Sequence, residues 1–369
     1  MTPASRKTGR RPTIKSLVQE RSRRPLRFHY IAYGLAIDSD VALPELETTQ
    51  RKSSPLLAGR LRIRIGQPPG RVREPRDWLL QTSLPDGQPW MWAARQEQGF
   101  LLRYTGLADF TVNLRGTEIA LAHAEAVSSR DTLGHLLLDQ ALPMVLSLRG
   151  IPTLHASTVV TRRGVCGFLG ATGAGKSTLA ASFSTVGYPT LGDDCLAIKE
   201  DRGFFAIPAY PGLRLWTDSA ESLSTDWSDA PAVAHYTRKR RILSAPAIKS
   251  FPAGLERLAV IYCLAREASG KGLDGTNGTS APAIEPLRPN EVFLQLLSAS
   301  FMLDITDRSM LTRNLRFFER LLNAVPVRRL RIPDAFSSLP EVREAVLKDL
   351  EGLGASDLDA TVDAALGEK

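Results

Sequence analysis

The sequence is short of the residues and runs on which several protein classes depend. Its three cysteines, Cys166, Cys195 and Cys263, are far apart and odd in number. They cannot build a disulfide framework or a four-cysteine zinc site, and a reducing cytoplasm suits them. No run of about 18 residues is both strongly apolar and free of charge, so no transmembrane helix is readable. The N-terminus lacks the apolar segment of a secretory or twin-arginine signal, with only Ile14, Leu17 and Val18 scattered through it. No internal repeat is visible. What remains, with 43% hydrophobic and 23% charged residues, is ordinary for a globular chain and excludes collagen-like, coiled-coil and wholly disordered readings. A length of 369 residues allows two to three domains at about 150 residues each.

The net charge of +8 is local. Residues 1–27 hold nine cations against the single anion Glu20, which accounts for the whole excess. The body is neutral, and the predicted leader 1–27 is a solvated, disordered basic segment. A basic tail is able to touch nucleic acid or an anionic surface. Nucleic acid is not the expected partner of the folded part.

Residues 28–150 read as a β-rich N-terminal domain ending in a helix. Arg60–Ile65 alternates strictly, with Leu61, Ile63 and Ile65 on one face and three arginines on the other, the period of a half-buried strand. Runs near 100–105, 109–114 and 117–123 follow, as in an antiparallel sheet. Residues 131–148 predict a helix on Leu133, Leu136, Leu137, Leu138 and Leu142, bent at Pro143 and capped at Gly150. Beyond Gly150 strands and helices alternate: strands His155–Thr161, Val165–Gly170, within Thr190–Lys199, Arg257–Ala265 and Val327–Ile332. Helices are predicted at Lys176–Val186, 290–300, 309–323 and 340–351. Ser269–Pro282 reads as a mobile Gly/Ser linker, and 351–369 as a frayed tail.

Gly170-Ala171-Thr172-Gly173-Ala174-Gly175-Lys176-Ser177 matches G-x-x-x-x-G-K-[ST]. Glycines let the backbone curl so that N–H groups converge on phosphate oxygens, and the helix that follows favours an anion at its N-terminus. Lys176 supplies charge to the outer phosphates, Ser177 completes a Mg²⁺ shell, and Thr178 closes the nucleotide-binding stretch. The cofactors expected are ATP and Mg²⁺. Asp193-Asp194, two adjacent carboxylates, repel each other without a cation nearby. One would hold Mg²⁺ while the other accepts a proton from an attacking hydroxyl.

Leu154-His155-Ala156-Ser157, the loop, and Gly192-Asp193-Asp194 together resemble the catalytic domain of HPr serine kinase/phosphorylase. The resemblance implies an α/β P-loop kinase core, of the HPr kinase C-terminal and phosphoenolpyruvate carboxykinase type, over 151–350 with its C-terminal helices. It implies that His155 orients Asp193, that Asp193 is the general base, and that Asp194 and Ser177 hold the metal. Tyr210–Leu215 stands near the family's Glu-x-Arg-Gly signature. Arg214 matches, while Gly212 replaces the glutamate, a departure that bears on the reverse reaction, phosphorolysis. The run Arg238-Lys239-Arg240-Arg241 falls where the family carries a catalytic arginine; Arg240 is the candidate, with its neighbours left open. The flanks, Tyr33–Ile37 with Leu43–Leu46 and Val327–Leu330 with Leu339–Arg343, resemble stand-alone relatives found beside lasso-peptide genes, which phosphorylate a serine of a precursor peptide.

The function so implied is an ATP-dependent serine kinase, its partner a serine-bearing peptide or small protein, with homo-oligomer formation left open. The alternatives are a P-loop ATPase or GTPase switch and a small-molecule kinase. Neither an L-S-G-G-Q signature nor an N-K-x-D guanine-reading segment is present.

Overall fold

The computed structural model describes residues 27–47, 56–66, 74–84, 86–223, 230–242, 251–267 and 281–353. The expected leader (all but Arg27), most of the 269–282 linker and the tail from 354 onward lie outside the described residues. The described chain is mixed α/β, built on two mixed sheets and a short ribbon.

The first sheet contains β1 (Phe28–Ala32), β2 (Leu35–Ser39), β3 (Arg60–Ile65), β4 (Leu80–Ser83), β5 (Pro89–Gln96), β6 (Gly99–Tyr104), β7 (Ala108–Asn113) and β8 (Glu118–Ala124), in the spatial order β1-β2-β3-β8-β7-β6-β5-β4. In β3, Leu61 and Ile63 are buried, as the alternation requires. Its outward arginines find acids on neighbouring strands: Arg60 meets Asp38 at 2.9 Å and Arg64 meets Glu118 at 3.3 Å. The antiparallel expectation holds only in part. β3 runs parallel to both β2 and β8.

Helix α1 (Arg130–His135) and helix α2 (Leu142–Leu148) are joined without a break by a π-helical turn, Leu136–Ala141. Pro143, which lacks an N–H, follows that turn, so the predicted bend takes the form of a widened ladder just before the proline. Gly150 caps the end at φ +81°. Its N–H donates to Ser147 O and that of Ile151 to Leu146 O, the doubly bonded glycine cap.

The remaining elements are β9 (Thr153–Leu154), β10 (Ser157–Thr161), β11 (Gly164–Leu169), α3 (Lys176–Thr185), β12 (Leu196–Glu200), β13 (Phe204–Ile207), β14 (Leu213–Leu215), α4 (Thr217–Ser222), β15 (Arg240–Ile242), β16 (Glu256–Glu267), β17 (Ala283–Pro286), α5 (Pro289–Ala299), α6 (Arg308–Ala324), β18 (Val327–Pro333) and α7 (Leu339–Gly352). β11, β16 and β18 form a parallel trio, with β10 antiparallel at one edge and β17 at the other. The start of β16 also pairs with β13, which leads on to β12 and β9.

The trio is buried on both faces, which explains its continuous apolar runs. Phe168, Tyr262 and Leu330 pack with Leu179 and Phe183 of α3 and Val346 of α7. Val165, Leu169 and Ile261 point the other way, towards Leu296 of α5 and Phe318 and Leu321 of α6. The core of the first sheet does not stop at residue 150. It runs on into Cys195, Ala197, Ile207, Ala209 and Tyr210.

Two sequence expectations shift here. His155 was expected within a strand, but the chain breaks there. Leu154 pairs with Leu196 of β12 while Ser157 pairs with Phe168 of β11, so His155 sits where the chain changes partners. Asp193 and Asp194 precede their strand rather than ending one, since β12 starts at Leu196. Asp194 has φ +67°, a left-handed conformation that a strand does not admit. Among the described residues no helix is long and apolar enough to cross a membrane.

Candidate functional site

The loop 170–177 leaves the C-terminal end of β11, in the parallel trio, and opens α3. Ligands of open α/β sheets gather at such strand ends. Gly175 is the helix N-cap at φ +95° and Gly173 turns the loop at φ +85°. A Cβ on Gly173 would meet no protein atom, so backbone conformation and not crowding requires glycine there. Lys176 is buried at 6% exposure, and its Nζ donates to the loop's own carbonyls, Gly170 O at 2.8 Å and Ala171 O at 3.2 Å. Burial pulls its pKa below the ordinary lysine value, against the pull of Asp194 and Asp193. Ser177 is half-buried at the head of α3. The Thr178 hydroxyl donates to Ser219 Oγ at 3.0 Å, tying α3 to α4.

Opposite the loop, Gly192 lets the chain pass close to Ala209; a Cβ there would come within 2.8 Å of the alanine's. Asp193 follows, 1% exposed. Its Oδ1 accepts from Ser157 Oγ at 2.5 Å and its Oδ2 from the Arg214 main-chain N–H at 2.8 Å. Burial, reinforced by the charge of Asp194, raises its pKa above the usual carboxylate value. Asp194 goes the other way. Burial alone would raise it, but Lys239, His155, Arg214 and His135 together hold it well below that range.

His155 is half-buried, its main-chain N–H donating to Ala299 O at 2.6 Å and its ring set edge-on to Phe301. Burial lowers its pKa, helped by Lys176 and Lys239 and opposed by Asp194. The hydrogen bonds that orient Asp193 come from Ser157 and Arg214, whereas the charge of His155 acts on Asp194.

Arg214 is a buried hub at 3% exposure. Its Nε lies 2.7 Å from Asp139 Oδ2 and 3.8 Å from Asp194 Oδ2, its guanidinium stacks 5.0 Å from the Tyr210 ring centre, and Nη2 donates to the Tyr210 hydroxyl. Its Nη1 is buried without a hydrogen-bond partner. In β15, Arg240 turns aside: its Nη1 donates to Ala230 O at 3.2 Å. Lys239 is the member of the basic run whose charge reaches Asp194, His155 and Lys176, and it lies 5.8 Å from the Trp216 ring centre. Arg241 pairs with Glu45.

Reading the sequence missed Asp139, Tyr210 and the role of Ser157, and left Lys239 open beside the candidate Arg240. Only Asp139 left a signal, an acid inside the apolar run Leu136–Leu142, where an unpaired charge is too costly to bury.

Among the described residues no three His, Cys, Asp or Glu side chains cluster as a metal site. Mg²⁺ takes one or two carboxylates and completes its shell with phosphate and water oxygens. The hydroxyl of Ser177 and the ionised Asp194 are hard oxygen donors of that kind, and the unpartnered Arg214 Nη1 leaves a buried donor for an anion.

No protein-family model and no curated protein matches this chain. Among solved structures it is similar to the HPr(Ser) kinase/phosphatase from Coxiella burnetii, at 13% identity and a TM-score of 0.28, over 55% of this chain and 99% of that one. So slight a likeness assigns neither activity nor substrate. What the residues themselves define is a mixed α/β protein with a loop of phosphate-binding pattern set against two buried carboxylates.

Proposed function

We propose that this chain is an ATP- and Mg²⁺-dependent kinase of the HPr-serine-kinase type, transferring a γ-phosphoryl group to a serine of a peptide or small protein. The observation that carries this reading is the placement of two buried carboxylates by the 170–177 loop. Asp193 is held by Ser157 Oγ at 2.5 Å and the Arg214 main-chain N–H at 2.8 Å, Asp194 stands 3.8 Å from the Arg214 guanidinium, and both act on the charge of Lys176, as a base and a metal ligand with separate tasks require.

In this reading the 170–178 stretch and Lys176 hold the β- and γ-phosphates, with Lys176 exchanging its two loop carbonyls for phosphate oxygens. Ser177 and Asp194 would hold Mg²⁺, which would supply neutralisation of the phosphates' negative charge. The acceptor serine oxygen forms a bond to the γ-phosphorus as the bond to the β–γ bridging oxygen breaks. ADP carries away that electron pair, and the serine proton passes to Asp193. Ser157 and Arg214 hold Asp193 for that transfer, and Lys239 adds a second cation beside the phosphates. Residues 28–150 and the C-terminal helices frame the acceptor, for which a ribosomally made precursor peptide is the specific candidate and the cytoplasm the setting.

The test incubates the full chain with γ-labelled ATP and serine-containing peptides, in parallel with Lys176→Ala. Label should appear on the acceptor serine and vanish with Lys176→Ala, which should keep the wild-type circular dichroism. Loss of one such donor costs about 10²–10³ in rate. ATP hydrolysis at the same rate with or without any acceptor would replace this reading with an ATPase.

A further inference from the structure

A buried charged cluster next to Asp193 and Asp194 is shared by two parts of the chain. Asp139 is 1% exposed and belongs to the π-helical turn that closes the first half of the molecule. Its Oδ1 accepts from the Tyr210 hydroxyl, and its Oδ2 lies 2.7 Å from both Arg214 Nε and His135 Nδ1. Arg214 in turn serves both candidate carboxylates: the main chain donates to Asp193, while the guanidinium stands 3.8 Å from Asp194.

A buried guanidinium left without a counter-charge is strongly destabilising, so it keeps a carboxylate partner. With Asp139 at 2.7 Å, Arg214 is held back from Asp194. Remove the charge of Asp139, and the same cation, already short of a partner at Nη1, has Asp194 as its nearest remaining anion. Asp139 stands in the π turn, where the helix is widened, and such turns recur at functional sites.

We infer that Asp139 is a positioning residue of the site: by anchoring Arg214 it keeps Asp194 available to a divalent cation and makes the 28–150 part of the chain indispensable to the kinase centre. The inference rests on the function proposed above.

The experiment measures binding of a fluorescent ATP analogue to the full chain as Mg²⁺ is titrated, alongside kcat and the acceptor KM. Asp139→Asn should raise the Mg²⁺ midpoint and lower kcat by about tenfold or more, the usual loss when a residue supporting a metal ligand is removed. The acceptor KM should stay unchanged, and Asp139→Glu should restore part of both losses. A merely structural role would reduce the amount of folded protein and leave the midpoint alone. Should Asp139→Asn fail to fold, Tyr210→Phe keeps every charge but removes the hydroxyl between Arg214 and Asp139, and should raise the midpoint by about threefold or more. A folded Asp139→Asn with a wild-type midpoint overturns the inference, as does, where Asp139→Asn does not fold, a folded Tyr210→Phe with a wild-type midpoint. Wild-type chain that binds the analogue with Mg²⁺ but labels no acceptor would defeat the kinase reading and leave this one standing.

Discussion

The hydroxyl of Ser157, the first residue of β10, donates to Oδ1 of Asp193, in the segment ahead of β12, at 2.5 Å, with both side chains buried. This bond lowers the pKa of Asp193 against the larger upward push of burial and Asp194. Ser157→Ala should therefore raise that pKa further and free the carboxylate to rotate. The acid limb of the rate profile should move to higher pH, and the protein should lose about 1.5–3 kcal/mol, the usual worth of a hydrogen bond to a charged group. Ser157→Thr should recover most of both. An unmoved acid limb in folded Ser157→Ala would show that the hydroxyl does not set the ionisation of Asp193.

The paired carboxylates should respond differently to the same chemical change. Asp193→Asn keeps size but removes proton acceptance. ATP with Mg²⁺ should bind normally while phosphotransfer falls by about 10²–10⁴. Asp194→Asn should shift the Mg²⁺ midpoint and weaken the nucleotide complex itself. Metal titrations of nucleotide binding, read beside phosphotransfer rates, separate the two; an exchange of these phenotypes would exchange the roles.

Within the basic run, Lys239 and Arg240 point to different places. Lys239→Gln should slow phosphotransfer by about tenfold or more, because a cation beside developing negative charge is lost. Arg240→Gln removes a bond to Ala230 O and should stay within about threefold, the loss of a half-buried hydrogen bond having no route to the phosphates. Steady-state rates of the two purified variants decide it. A larger effect from Arg240→Gln would return the catalytic role to the arginine.

Away from the site, Asp38 accepts from His29 Nδ1 at 2.8 Å and pairs with Arg60 at 2.9 Å. Burial would raise its pKa, but these hydrogen bonds outweigh it and hold the carboxyl below its ordinary value. A lowered folded-state value means the stabilisation is complete above the unfolded pKa of about 3.9 and is lost as pH falls through the folded one. Urea unfolding should therefore show Asp38→Asn less stable than wild type at mildly acidic pH, with the gap closing in strong acid. A gap that persists there would mean that the pairing is not ionic in origin.

The sequence by itself determined the elements whose periodicity is local. Strict alternation in Arg60–Ile65, the apolar run of β16 and the glycine–lysine spacing of 170–177 each impose a backbone through neighbouring residues alone, and each appears where expected. The helix end at Gly150 was equally legible, because a glycine at positive φ stops a helix wherever the rest of the chain lies. Tertiary structure decided what depends on distant partners. Nothing local makes β3 parallel to β2 and β8, breaks the chain at His155, or delays the start of β12 until Leu196, beyond Asp194. Likewise, the spacing of Arg238–Arg241 is blind to which cation turns inward. Only pairing across β14 and β15 puts Lys239 near Asp194 and sends Arg241 to Glu45. The anchoring of Arg214 by Asp139 joins positions 139 and 214, and charge pairing at that separation is set by burial and packing, to which a sequence pattern has no access.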